Sequence, residues 1–327
     1  MKRLVAIVAI LSNMVLALPA LAAGLSFFEA PIDGGPPIAG AVWSPCAAPS
    51  AAVAIGDRSL PGAKDCPITG QGLPLIVMSH GFGGWFGGHH DTAEALADAG
   101  FIVVAINHPG DWNRSDPSRK FTLSALTDRP ADIKRLVDYM LTAWPGAAKI
   151  DPDRIGFLGF SRGGFTGLAL IGGEVDWRAA LPTLCPPETT VPACLEARMQ
   201  PLPDIQLARD ARIKAAVIAD PFLGAFFTPD SLKTVTAAVQ LWGSEQGGDG
   251  VHPDDAAAVA RNLPAKPDYH VAPSSTHFAF LAPCTPLQAQ ITPQICADPP
   301  GFDRTVFHAQ FDAQIVAFLR AQLVPHS

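Results

Sequence analysis

The feature that most restricts this sequence is a repeated alternation of short, wholly apolar runs bounded by turn residues with longer stretches of helical periodicity. The runs are Leu75 to Met78, Ile102 to Ile106, Ile155 to Leu158, Ala216 to Ala219 and Val239 to Trp242. A run that is apolar at every position has no solvent face, so each reads as a strand covered on both sides, the pattern of a parallel sheet under helices. A last strand is expected at Tyr269 to Ala272. Between the runs, Asp128 to Trp144 places Ile133, Leu136, Val137, Met140, Leu141 and Trp144 on one face of an amphipathic helix. Thr92 to Ala99 and Ser161 to Ile171 predict two more helices. Phe311, Ile315 and Phe318 predict a buried stripe in a C-terminal helix that ends before Pro325.

Upstream, Pro37 to Trp43 and Ala51 to Ile55 read as antiparallel strands at an edge of the same sheet. Residues 172–210 break the alternation with Pro182, Pro186, Pro187, Pro192, Pro201 and Pro203, and read as a lid-like insertion over the sheet's carboxyl edge. The expected architecture is one α/β domain over residues 23–327: a mostly parallel central sheet with helices on both faces. Composition agrees, since 48% hydrophobic against 16% charged residues excludes a disordered chain. With 23 basic and 30 acidic residues the net charge is −7, leaving no basic surplus for a nucleic-acid partner.

The longest apolar stretch stands at the start. Met1-Lys2-Arg3, then Leu4 to Leu18, then Pro19-Ala20-Leu21-Ala22 match the charged, apolar and small-residue parts of a signal peptide spanning residues 1–22. Ser12 and Asn13 interrupt the run, which argues against an uncleaved anchor, so an exported chain, periplasmic or secreted, with no stable membrane span is expected. Six cysteines follow. An even number in an exported chain predicts disulfides, and of fifteen possible pairings proximity favours Cys46–Cys66, Cys185–Cys194 and Cys284–Cys296. No Cys-x-x-Cys or close Cys/His pair occurs, so no metal is expected.

The chemistry is concentrated where the strand Ile155 to Leu158 runs into Gly159-Phe160-Ser161-Arg162-Gly163-Gly164 and a helix. This is G-x-S-x-G in a strand–turn–helix context, a tight turn that lifts the Ser161 hydroxyl to the sheet edge above a helix N-terminus. A serine hydroxyl attacks only when a base takes its proton and donors receive the developing oxyanion. Ser79-His80-Gly81-Phe82-Gly83-Gly84 follows another strand, so backbone N–H groups of Phe82 and Arg162 are the expected donors, with His80 shaping the loop. In this architecture the order is serine, acid, histidine. Of the later histidines, His270 falls inside the last strand, His308 in the C-terminal helix, His326 in the tail, and His252 in a solvated loop close behind Val239 to Trp242. His277, just past the last strand, is the expected base.

These motifs resemble the α/β-hydrolase superfamily and, within it, the platelet-activating-factor acetylhydrolase group and bacterial relatives labelled predicted dienelactone hydrolases. The resemblance covers most of the mature chain. It runs through Ser79-His80-Gly81-Phe82-Gly83, Arg129-Pro130-Ala131-Asp132-Ile133, the Ser161 elbow, Ala219-Asp220-Pro221 and Ala279-Phe280-Leu281-Ala282-Pro283-Cys284. True dienelactone hydrolases use a cysteine nucleophile where this chain has Ser161. The resemblance implies a short or oxidised acyl chain on a lipid or other amphiphilic ester, and puts the acid at Asp220. Asp249, after Val239 to Trp242, occupies the more usual superfamily position and is the alternative. Rigidity favours Asp220, which ends a buried strand and is locked by Pro221, over Asp249 among glycines.

The expected activity is that of an exported serine esterase using Ser161, His277 and Asp220, without metal or organic cofactor, on a small-molecule or lipid-like ester. Trp85, Phe86, Phe222, Phe226 and Phe278 are candidates for the acyl pocket. The rivals are a serine peptidase or amidase, and a non-catalytic binding module on the same fold.

Overall fold

The computed structural model describes residues 21–31, 35–56, 58–112, 114–190, 194–195 and 205–325. Nearly all of the predicted signal peptide, most of the second half of the insertion, and His326 lie outside the described residues. Ten strands form one sheet: β1 (Leu21–Ala30), β2 (Ile38–Pro49), β3 (Ala51–Ile55), β4 (Arg58–Lys64), β5 (Leu73–Ser79), β6 (Ile102–Asn107), β7 (Ile150–Phe160), β8 (Ile213–Ala219), β9 (Ala238–Ser244) and β10 (Asp268–Ala272). Their order is β10-β9-β8-β7-β5-β6-β2-β1-β4-β3. From β6 to β10 every pairing is parallel; β2 joins β6, and β1 joins β2, antiparallel.

Every strand predicted from an apolar run is present, because strands buried on both faces alternate two cores rather than core and solvent. Leu75 and Val77 of β5 enter one core with Ile133, Leu136, Val137 and Met140 of helix Arg129–Thr142, Phe165 and Leu168 of helix Arg162–Leu170, and Val259 of helix Pro253–Asn262. Ile76 and Met78 enter the other, under Leu96 of helix His90–Asp98 and Phe311, Ile315, Leu319 and Leu323 of helix Arg304–Leu323. The stripe on this last helix is therefore carried by Leu319 and Leu323, with Phe318 only half-buried, since spacing of four keeps residues on one face.

Two strands were not anticipated. β1 starts within the last two residues of the predicted signal peptide, and β4 contains Pro61 and alternates irregularly, yet it pairs with β3 and touches β1. In the insertion, helix Trp177–Leu184 follows an Asp176 cap, and Trp177 packs against Phe165 of the elbow helix at 5.9 Å. All three sequential cysteine pairs are disulfide-bonded. No helix among the described residues is long and apolar enough to cross a membrane.

Candidate active site

The site stands at the carboxyl ends of the parallel strands, where β5, β7, β8 and β10 each end in a segment that contributes to it. After β7, Ser161 has φ 56° and ψ −116°, a conformation L-residues adopt only when the surroundings impose it. The surroundings are backbone contacts: Ser161 N donates to Ala219 O at 2.9 Å, and Phe222 N to Ser161 O at 3.0 Å. The turn also closes against the β5 loop, where a Cβ on Gly163 would collide with the Ser79 carbonyl oxygen. Glycine is required there because two backbones touch.

His277 lies past β10 in the short turn His277–Phe280, with its own N–H donating to Gly247 O at 2.8 Å. Its ring stacks on Phe160, the residue before Ser161, at 4.6 Å between centroids. Asp220, after β8, sets the ring's orientation. Its Oδ2 is 2.7 Å from His277 Nδ1, and its oxygens also accept from Ser244 N at 2.8 Å and Ser244 Oγ at 2.7 Å. A carboxylate only accepts, so Nδ1 carries the hydrogen and Nε2 is left to accept a proton. Asp220 adopts φ 44°, which aspartate tolerates better than most residues. The alternative acid, Asp249, is exposed in a turn closed by Gly248 and Val251. His252 is exposed at the start of helix Pro253–Asn262, and His270 stacks on Trp242 beside Asp268.

The loops that carry the expected oxyanion donors close on one another. Arg162 is the first residue of its helix, so its N–H has no partner within the helix. Phe82 lies in the loop after β5, where a Cβ on Gly81 would reach 3.2 Å from Ser161 Cβ. His80 shapes this loop: its Nδ1–H donates to Gly81 O at 2.6 Å, while its Nε2 accepts from His108 N at 3.2 Å. Burial holds the His80 ring well below the usual histidine range, with Arg129 adding to the effect, so it stays neutral.

Sequence reasoning passed over the layer beneath. Asp111 is fully buried, accepting from Gly83 N at 2.9 Å, Arg129 at 2.8 Å and Arg162 at 3.1 Å. One carboxylate thus ties the loop after β5 to the residue after Ser161. Arg129 also donates to Ser79 Oγ, His80 O and Thr166 Oγ1, and burial brings its pKa down to about 10, leaving it a cation. Ser79, His108 and Asp132 form a second serine–histidine–aspartate chain, with spacings of 2.9 and 3.1 Å. This chain is buried inside the fold and Arg129 donates to its serine, so it supports the loop and has no access to substrate. The retained motif Arg129-Pro130-Ala131-Asp132 was the one sequence signal of this layer.

Of the pocket candidates, all half-buried, Phe222 and Phe226 pack on one core and Trp85 and Phe86 on the other, while Phe278 stands beside His277. The Arg162 guanidinium lies over Phe82 at 4.3 Å, and Phe82 meets the exposed Phe121 at 5.3 Å.

No family profile matches the chain. It is 32% identical over 154 residues to NocK of Nocardia uniformis subsp. tsuyamanensis, named provisionally as an esterase, covering 46% of this chain and 42% of that protein. It is 37% identical over 110 residues, 32% of this chain and 33% of the other, to a 2-hydroxy-6-oxononadienedioate/2-hydroxy-6-oxononatrienedioate hydrolase of Pseudomonas putida. The chain thus spans less than half the length of the curated relatives it matches. Among solved structures, a ferulic acid esterase from Streptomyces cinnamoneus superposes with TM-score 0.60 at 18% identity, covering 94% of this chain and 92% of the other. A cold-adapted esterase from an Arctic intertidal metagenomic library superposes with TM-score 0.50 at 17% identity, covering 91% and 94%.

Proposed function

From a chain with the α/β-hydrolase fold, we propose an exported serine esterase that hydrolyses carboxylic esters through a Ser161 acyl-enzyme. The observation that carries the reading is the buried Asp220–His277 pair, 2.7 Å apart, against the residue that precedes a strained serine. His277 Nε2 takes the Ser161 proton as Oγ attacks the ester carbonyl, and the N–H groups of Phe82 and Arg162 receive the oxyanion. The C–O bond to the alcohol then breaks and His277 returns the proton to the leaving oxygen. Water, deprotonated by the same ring, releases the acid.

The Phe82–Phe121 pair beside Arg162 offers an exposed apolar rim, which suits the hydrophobic part of an amphiphilic ester. Export is supported by the leader-like start of the sequence and by three disulfides. Labelling with a fluorophosphonate, followed by assays on p-nitrophenyl esters of graded chain length and on peptides, tests the reading. Label on Ser161 with ester turnover is expected. Label with peptide turnover alone would make it a peptidase, and absence of label would make it a binding module.

A further inference from the structure

Behind the turn that carries His277, three ionisable side chains converge from two helices. Asp91 lies in the first turn of helix His90–Asp98, and His308 and Asp312 lie one turn apart on helix Arg304–Leu323. One ligand-type atom from each lies within 4.8 Å of the other two. His308 is 2% exposed, and its Nε2 is 2.9 Å from the Ala279 carbonyl oxygen. A carbonyl only accepts, so Nε2 holds a hydrogen, and Nδ1 meets Asp91 either as a protonated donor or, in the neutral ring, as a lone pair.

Nδ1 lies 2.6 Å from Asp91 Oδ2, an ion pair when the ring is protonated. Neither Nδ1 nor either Asp91 oxygen, all buried, has an aligned hydrogen-bond partner. Electron-rich atoms held this close require a cation, either a proton on His308 or a metal ion. Asp312 brings a second carboxylate to the same place, with its Oδ1 accepting from Thr92 Oγ1 at 2.6 Å. His89, 4% exposed, is electrostatically coupled to Asp91 and His308; its Nδ1–H donates to Phe280 O at 3.0 Å, and its Nε2 is also buried without a partner. His90 and Glu94, paired at 2.8 Å, close the outer side.

We propose that Asp91, His308 and Asp312 form a site for one divalent transition-metal ion of the zinc class, separate from the Ser161 centre. Two carboxylates and an imidazole are donors that suit zinc. The bond from His308 Nε2–H to a backbone carbonyl is the contact that fixes ring and tautomer in metal-ligating histidines. The ion would clamp the two helices together and, through Ala279, steady the His277–Phe280 turn. Its role is structural: it touches no reacting atom.

The full chain, stripped with EDTA and dialysed, is titrated with Zn2+ against a chromophoric chelator while its melting temperature is followed. One Zn2+ per chain is expected, with a rise of about 5 °C or more once free zinc exceeds the dissociation constant a hundredfold. Asp91→Asn and Asp312→Asn, which keep side-chain shape, should each weaken binding at least tenfold, and His308→Ala should abolish it. His252→Ala, at an exposed histidine far along the chain, should change nothing. If His308→Ala fails to fold, the two asparagine variants still decide. Absence of stoichiometric binding, or binding and thermal shift that survive both asparagine changes, overturns the site.

Discussion

Asp220 accepts from His277 Nδ1 at 2.7 Å while both side chains are 1% exposed, and Ser244 donates twice to the same carboxylate. A buried acceptor that saturated cannot easily reorient, so it locks the imidazole in one tautomer. Asp220→Asn is expected to keep the fold and lower kcat by about 10⁴-fold. Ser244→Ala, which removes one of the donors, should cost less, and Asp249→Asn should leave ester turnover near normal. Steady-state kinetics on one p-nitrophenyl ester check all three, and a large loss confined to Asp249→Asn would move the acid to β9.

Ser161→Ala and His277→Ala should each lower kcat by about 10⁶-fold, and the double variant should be hardly worse, because the groups act as a unit. Circular dichroism should show both variants folded. Additive losses in the double variant would contradict a shared proton-transfer step.

Asp111→Ala should do two kinds of damage. It leaves the Arg129 guanidinium, 1% exposed, without its carboxylate, a loss of about 3–5 kcal/mol for a broken buried ion pair. It also frees Gly83 and the Arg162 side chain, so kcat should fall with little change in KM. Urea denaturation reads the first effect and kinetics at low temperature the second. Unchanged kcat in folded Asp111→Ala would show that the oxyanion loop holds itself.

Burial pushes the Asp132 carboxyl from 3.8 up to about 6. The unfolded chain therefore ionises this group first as pH rises, and the native state loses stability between about pH 4 and pH 6, after which the penalty is constant. The shift corresponds to about 3 kcal/mol. Asp132→Asn removes this contribution, so its stability relative to the wild type should improve as pH rises through that window. Chemical denaturation of both proteins at pH 4, 5, 6 and 7 measures the difference, and a constant gap would exclude the effect.

The strands and the nucleophile-type turn were legible because their signals are local. A strand buried on both faces must be apolar throughout, and a nucleophile turn must put glycine where backbones touch, as at Gly163. Asp220 was favoured over Asp249 by the family resemblance and by its rigid setting, and its two bonds from Ser244 are a physical form of that rigidity. What escaped was made by packing. Asp111, after Pro109-Gly110, carries no local signal, and the Arg129 motif does not show its partners, because the β5 loop closes over both only in the fold. β4 escaped for a related reason: Arg58, Pro61 and Lys64 read as a loop, and only pairing with β3 extends them.

Each disulfide joins a cysteine to the next one in the chain, across 20, 9 and 12 residues. The covalent links therefore never pass between distant segments, whereas the sheet brings β1 beside β4 and β7 beside β5. Topology is set by hydrogen bonding and burial, and oxidation can follow it without choosing among folds. In an exported chain the partner of each pair's first thiol would be the next cysteine to emerge, an order that favours the native linkages during vectorial oxidation. A host with a simple oxidase is therefore expected to produce the protein as readily as one with a full isomerase system, and the yields of the two hosts compare directly.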